Sequence, residues 1–140
     1  MINRRQSREF VFRLLFESSF HADNELKEMY QTALEESEII ENDYIATVFW
    51  GVVEKRSDID QTIKNNAIGW KLDRISKITL AILRLGIYEI LYMQDIPFNI
   101  SINEALELTK RYDENPARAF VNGVLDAVAK KEQASPKNEL

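Results

Sequence analysis

Residues 77–93 read KITLAILRLGIYEILYM, and this stretch decides the fold. Apolar side chains occupy nearly every face of a helix drawn with 3.6 residues per turn, and charged residues are few. A helix that is apolar all round is buried among other elements. The stretch therefore predicts a central, mostly buried helix with neighbours on several sides.

The segments on both sides of this helix repeat the helical period. Near the N-terminus, Val11, Leu14 and Leu15 follow the i, i+3, i+4 pattern of an amphipathic helix. Further helices are expected over about 24–36, after Asn42, after Ser57, over about 102–112 and over about 116–131. No hairpin signal interrupts them. We expect a single all-α domain of about seven helices over 1–132, followed by a disordered tail over 133–140.

Polar residues at the predicted helix starts suggest where the helices are capped. Ser101 and Glu104 in the segment SINE have the spacing of a capping box, in which each side chain bonds the backbone N–H of the other residue. Additional N-caps are expected at Asn42, Ser57 and Asn115, the last of which precedes Pro116.

The composition argues against catalysis. The chain has no cysteine and one histidine, His21, for which a solvated surface position is expected. Its four glycines are isolated, so no glycine-rich phosphate loop is present. We expect close helix–helix approach at Gly86 and Gly123, and neither a metal nor a cofactor. Because no signal peptide or long apolar span is visible, a cytoplasmic location is expected.

The charge distribution points to an anionic partner at one end. The formal net charge is -5, yet residues 1–13 contain four arginines and one glutamate, a local charge of +3. A helix N-terminus already carries partial positive charge, so stability alone would favour acids there. We infer that Arg4, Arg5 and Arg8 converge with free backbone N–H groups on a phosphate. The alternative is a solvated basic end with an Arg5–Glu9 pair.

Several segments together resemble the NusB family of bacterial transcription antitermination factors. They are RRQSREFVFRLLF at 4–16, WKLDRIS at 70–76, AILRLGIYE at 81–89, IPFNISINEALELTKRY at 96–112 and FVNGVLD at 120–126. The resemblance spans about residues 4–130. It implies an all-helical fold of two small packed bundles and no catalysis. It also implies binding of the single-stranded boxA RNA of nascent ribosomal RNA transcripts together with NusE, a small ribosomal subunit protein, within the RNA polymerase antitermination complex.

The resemblance also implies individual RNA contacts. Arg4, Arg5 and Arg8 match the arginine motif of the family, and Phe120 matches the aromatic residue that opens FVNG, where an exposed ring could stack on a base. A core position for Phe120 is the alternative. Arg118, in the same helix, is a further RNA-binding candidate. The remaining matched polar residues, for which capping and buried hydrogen bonds are expected, are Asn103, Glu104 and Asn122.

Two residues are candidates for partner contacts. Phe16 matches an aromatic position associated with partner docking, although it could equally be a core residue. Thr79 stands where many relatives carry an acid, so the NusE contact is expected to be built differently here, and Pro116 replaces a residue that is often polar or acidic. The remaining alternative is a protein-interaction module whose basic N-terminal pole binds an acidic protein. The sequence leaves the choice between monomer and homodimer open.

Overall fold

A computed structural model describes residues 1–134 and confirms the all-helical prediction. Within this range there is no strand, and two short 3₁₀ turns, Asp23–Glu25 and Leu72–Arg74, join the helices. The helices are α1 (Arg4–Ser18), α2 (Leu26–Glu36), α3 (Asp43–Glu54), α4 (Arg56–Asn66), α5 (Lys77–Tyr92), α6 (Phe98–Tyr112) and α7 (Asn115–Ala134). Residues 135–140, part of the predicted disordered tail, lie outside the described range.

Helix α5 is the centre of the fold, as its apolar sequence predicts. It packs against α1, α3, α4, α6 and α7. Side chains on all its faces are buried, among them Ile82, Leu83, Ile87 and Ile90, each 0% exposed. Around it, α1, α2 and α3 form one group and α4, α6 and α7 form the other, so the two groups share one hydrophobic core.

Two glycines allow helices to cross α5 closely. A Cβ atom at Gly86 of α5 would lie 3.0 Å from the Leu125 side chain of α7, so the predicted close approach is confirmed there. A Cβ atom at Gly51 of α3 would lie 2.3 Å from the Tyr88 hydroxyl oxygen of α5. The same prediction is wrong for Gly123, which faces solvent with no atom within 4 Å of such a Cβ.

The predicted cap at Asn42 is confirmed, whereas the one at Ser57 is wrong. The Asn42 side chain accepts a hydrogen bond from the backbone N–H of Ile45 at 2.9 Å. Only Lys55 separates α3 from α4, and α4 begins at Arg56. Ser57 therefore lies inside a helix, because the chain turns from one helix into the next without an extended residue at that position.

The predicted capping box at Ser101 is also wrong. Helix α6 begins one turn earlier, at Phe98, with Pro97 as its extended N-cap residue. The Pro97 carbonyl accepts from the backbone N–H of Ile100 at 3.0 Å and thereby closes the first turn. Ser101 and Glu104 have the spacing of a cap, but their side chains bond residues of other helices. Tertiary contacts thus use the residues that local sequence assigned to capping.

Candidate nucleic-acid interface

The start of α1 is fixed by a reciprocal cap that was not among those predicted from the sequence. The Asn3 side chain accepts from the Gln6 backbone N–H at 2.8 Å, and the Gln6 side chain accepts from the Asn3 backbone N–H at 2.9 Å. Asn and Gln at this spacing are a known signature of a helix start. No acidic residue lies in the first turn, so the free N–H groups and the positive dipole end there have no carboxylate of that turn to neutralise them.

Arg8 points into the protein, and the residue is only 4% exposed. Its Nε donates to Oε2 of Glu89 on α5 at 2.7 Å. Its Nη1 donates to Oε1 of Glu104 on α6 at 3.1 Å. One guanidinium group therefore bridges two carboxylates on two different helices.

The expectation that Arg4, Arg5 and Arg8 meet at one exposed spot is wrong, because Arg8 is turned inward. Residues three to four positions apart lie on the same face of a helix, so Arg8 shares a face with Phe12 and Leu15. Both of those side chains are buried in the core. Arg4 and Arg5 lie in the first turn of α1, ahead of its first buried residue, Ser7, and both are exposed.

Glu89 is the centre of a buried polar cluster. Besides Arg8, it accepts hydrogen bonds from the Tyr44 hydroxyl of α3 at 2.5 Å and from the Ser101 hydroxyl of α6 at 2.8 Å. All four residues are buried. Burial raises the pKa of Tyr44, and the negative charge of Glu89 raises it further. The phenol therefore stays protonated and remains a donor to the carboxylate.

Arg5 is the exposed counterpart of Arg8, with 68% of its side chain accessible. Its Nη2 and Nε donate to the two carboxylate oxygens of Glu104 at 2.7 Å and 3.0 Å. The hydrogen bond from Arg5 lowers the pKa of Glu104, although partial burial of that carboxyl opposes the shift. The alternative Arg5–Glu9 pair does not form, because Glu9 bonds Arg111 at 2.9 Å instead.

Arg4 is exposed and is held by an aromatic ring rather than by an acid. Its guanidinium carbon lies 4.7 Å from the centroid of the Tyr44 ring, within the range of a cation–π contact. No carboxylate forms an ion pair with Arg4 among the residues that the structure describes. Its charge is therefore available to an external anion.

A cleft of about 460 Å³ lies beside these arginines, between α1 and α6. Its lining is mixed in charge, with four cations, three acids and one leucine: Arg5, Arg8, Lys110, Arg111, Glu9, Glu104, Glu107 and Leu108. An anion here meets several guanidinium and ammonium groups, but it also faces carboxylates. The chain alone is therefore suited to modest anion binding.

Phe120, the aromatic candidate on α7, packs against a second aromatic residue, Trp70. Phe120 is half-buried, and its ring centroid lies 5.3 Å from that of Trp70. Trp70 is 56% exposed and presents the more accessible ring, although it was not predicted from the sequence as a binding residue. Arg118 is exposed on the same helix. In the described range, neither Arg118 nor Phe120 is hydrogen-bonded or ion-paired to the arginines of α1.

Phe16 lines a second, apolar groove of about 390 Å³. The other lining residues are Phe12, Arg13, Glu17, Phe20, Ile78 and Tyr112. Phe20 is 61% exposed, and its ring lies edge-on to Phe16 at 5.2 Å. Thr79 does not line this groove. It is 6% exposed, and its hydroxyl donates to Asp113 at 2.5 Å. Its neighbour Ile78 lines the groove instead.

Other candidate polar residues lie at the surface. His21 is partly exposed between Glu17 and Glu25, at 3.8 Å and 3.5 Å. Asn103 and Asn122 are exposed, so the buried hydrogen bonds expected of them are absent. In residues 1–134 no group of three potential metal ligands converges. No helix of that range combines the length and apolarity needed to span a membrane.

Comparison with known proteins supports the resemblance seen in the sequence. The profile of the NusB family matches residues 5–130. The chain is 46% identical over 131 residues to the transcription antitermination protein NusB of Ruminiclostridium cellulolyticum, an alignment that covers 92% of this chain and 90% of the relative.

Solved structures with the same fold include proteins of that name. The fold is similar to T. maritima NusB, with a TM-score of 0.87, 35% identity and 99% of each chain covered. It is also similar to a chain in a crystal structure of the antitermination factors NusB and NusE in complex with dsRNA. That match has a TM-score of 0.81 and 26% identity, and covers 91% of this chain and 96% of the other.

Proposed function

Because this chain belongs to the NusB family, we propose that it binds the single-stranded boxA element of nascent ribosomal RNA transcripts together with NusE. It is an RNA-binding transcription antitermination factor, and it acts by binding rather than by catalysis. The complex with RNA and NusE would join RNA polymerase, which places the protein in the cytoplasm. The solved relative described with NusE and RNA supports both partners.

The observation that carries this proposal is the pair of exposed guanidinium groups at the start of α1. Arg4 and Arg5 project from a helix N-terminus, where backbone N–H groups and the helix dipole also favour an anion. They do so on a chain whose net charge is -5. Such a local concentration of positive charge on an acidic protein suits contacts with a phosphate backbone.

Arg8 takes a different part in the same site. Because it is buried and bridges Glu89 and Glu104, its role is to hold the outer residues in place. Direct phosphate contacts fall to Arg4 and Arg5. We further propose that Trp70, Phe120 and Arg118 form a separate contact, with a base stacking on the exposed face of Trp70.

The apolar groove around Phe16 is the surface we propose for NusE. The groove is lined by the exposed ring of Phe20 and by Ile78. Aromatic and apolar side chains of this kind form the cores of protein–protein interfaces. Thr79 contributes indirectly, because its hydroxyl donates to Asp113, the residue that follows Tyr112 of the groove in the chain. A basic partner here would extend the positive surface toward RNA and raise the affinity.

The test is binding of boxA RNA to the wild type and to the double variant Arg4→Gln/Arg5→Gln. Two phosphate contacts on a single strand contribute a log–log salt slope of about -1.4, so the variant should bind more weakly and with a slope flatter by about that amount. Lys27→Gln/Arg56→Gln, which removes two charges at a distance from α1's N-terminus, is the matched control and should bind as the wild type does.

Addition of NusE should strengthen boxA binding more than binding of a scrambled RNA. If the double variant binds boxA as the wild type does, with the same salt slope, the arginines do not contact RNA. Retention of an acidic protein partner by the wild type and its loss from the variant would then favour the protein-interaction module.

A further inference from the structure

Glu89 joins the interior of the protein to both exposed arginines. It lies in the middle of α5 with 1% of its surface exposed, and it accepts hydrogen bonds from three helices. Three of its donors are Arg8 of α1, Tyr44 of α3 and Ser101 of α6. Two of these three donors lead outward to the surface that carries Arg4 and Arg5.

The first route runs through Tyr44. The Tyr44 hydroxyl is anchored on Glu89, and the face of the same ring lies 4.7 Å from the guanidinium carbon of Arg4. Because a phenolic O–H prefers the plane of its ring, the direction of the bond to Glu89 favours one orientation of the Tyr44 ring. The orientation of the ring in turn determines where the cation over it is most stable. The position of Arg4 therefore depends on a bond made in the core.

The second route runs through Arg8 and Glu104. Arg8 bonds Glu89 with one edge of its guanidinium and Glu104 with another, at 2.7 Å and 3.1 Å. Glu104 in turn holds Arg5 through two hydrogen bonds. Those bonds occupy two of the five N–H donors of Arg5, so the remaining donors can bind a phosphate while Glu104 stays in place.

Stability alone does not account for a carboxylate at this position. A buried ion pair is often no more stabilising than apolar side chains of similar volume, because both charges lose their hydration. The residues next to Glu89 along α5, Tyr88 and Ile90, are both buried. The cluster thus occupies space that an apolar core could fill, at a location that controls two long, exposed side chains.

We propose that Glu89 is a positioning residue of the RNA site, which holds Arg4 through Tyr44 and Arg5 through Arg8 and Glu104. The proposal rests on the proposed function, in which these two arginines contact RNA. A free arginine loses rotamer freedom when it binds a phosphate, whereas an arginine already held by the protein loses less. Glu89 thereby raises RNA affinity through Tyr44 and Arg8, without touching RNA.

The chain offers a matched pair of variants. Tyr44→Phe and Ser101→Ala each remove one hydroxyl that donates to Glu89, and both residues are buried. Only Tyr44 lies on a route to an exposed arginine. Tyr44→Phe should weaken binding of a fluorescent boxA RNA by about three- to tenfold. Ser101→Ala should change it by less than about twofold, whatever it does to the melting temperature.

A double-mutant cycle separates positioning from general loss of structure. In an Arg4→Gln background, Tyr44→Phe should have almost no further effect on RNA binding, because the residue through which it acts is gone. The Arg4 Nε–H NMR signal of the RNA-free protein should also shift in Tyr44→Phe and stay unchanged in Ser101→Ala. Arg8→Lys, which keeps the charge but cannot bridge both carboxylates, should weaken binding through Arg5 in the same way.

The outcomes distinguish this proposal from the one it rests on. If Arg4→Gln/Arg5→Gln weakens RNA binding while Tyr44→Phe and Arg8→Lys both bind as the wild type does, positioning by Glu89 is refuted and the RNA site stands. An unchanged Arg4 NMR signal in Tyr44→Phe would refute it without any RNA. If the arginine double variant binds normally, the RNA site fails and the positioning role fails with it.

Discussion

Arg5 and Arg8 lie one turn apart on α1 and share Glu104 as a partner, yet their side chains are 68% and 5% exposed. The outer arginine pairs with a carboxylate at the edge of a cleft, where water and an external anion can compete for it. The inner one neutralises a carboxylate that is 1% exposed in the core. We therefore expect identical residues within one sequence motif to divide into a binding role for Arg5, as proposed above, and a structural role for Arg8.

The largest effect is expected when the inner pair, Arg8 and Glu89, loses one of its two charges. Arg8→Met leaves Glu89 buried with a charge that the Tyr44 and Ser101 hydroxyls only partly compensate. Loss of one partner of a buried pair costs about 3–5 kcal/mol, and urea unfolding should reveal it. Arg5→Met, made one turn away at the exposed position, should leave the urea midpoint near that of the wild type. Equal losses from the two variants would mean that burial does not separate their roles.

The sequence held a partial signal for this division. Arg8 falls on the apolar face of α1 with Phe12 and Leu15, and Glu89 interrupts the apolar run of α5. A cation and an acid on two apolar faces indicate a buried pair, whereas Arg5 lies one turn nearer the helix start, before the apolar residues of that face begin. The run 77–93 predicts the central helix for the same reason, because burial on all sides requires apolar residues on all sides.

Local patterns fail where tertiary contacts take over the same side chains. The spacing of Ser101 and Glu104 is that of a cap, and only the approach of α1 and α5 assigns their oxygens to Arg8, Arg5 and Glu89. The exposed ring of Trp70 was equally beyond local reasoning, because its contact with Phe120 joins residues distant in the chain. Helix periods are local, whereas the pairing of faces is not.

The second largest effect is expected from a double variant that replaces both charges of the inner pair, Arg8 and Glu89, and leaves Arg5 and Glu104 unchanged. Arg8→Met/Glu89→Leu replaces two buried charges by apolar side chains, which is often neutral or stabilising by about 1–4 kcal/mol relative to the intact pair. The double variant should therefore recover most of the stability lost in Arg8→Met, as measured by urea unfolding. A double variant less stable than Arg8→Met would show that the buried hydroxyls of Tyr44 and Ser101 need the Glu89 carboxylate as their hydrogen-bond acceptor.

A smaller effect concerns the helix start that both arginines share. Asn3→Ala removes the side chain that accepts from the Gln6 backbone N–H. Loss of such a cap costs about 0.5–2 kcal/mol, which differential scanning calorimetry should detect as a lower melting temperature. Asn3→Ser, which restores a capping oxygen, should recover most of the loss. If Asn3→Ala has the same melting temperature as the wild type, the first turn of α1 is held by Arg8 and its partners rather than by its cap.

The smallest effect is a pH dependence that belongs to the outer pair. Arg5 lowers the pKa of Glu104 through a hydrogen bond. A carboxyl whose pKa is lower in the folded than in the unfolded state stabilises the fold above its unfolded pKa, and this stabilisation is lost as the pH falls through the folded value. An NMR titration of the Glu104 side-chain carboxyl between about pH 2 and pH 6 should place its midpoint lower in the wild type than in Arg5→Gln. The stability difference between the two proteins should shrink as the pH falls through that interval. A midpoint that is the same in both proteins would mean that Arg8, rather than Arg5, lowers the pKa of Glu104. Arg5 and Glu104 would then not act as a pair separate from Arg8.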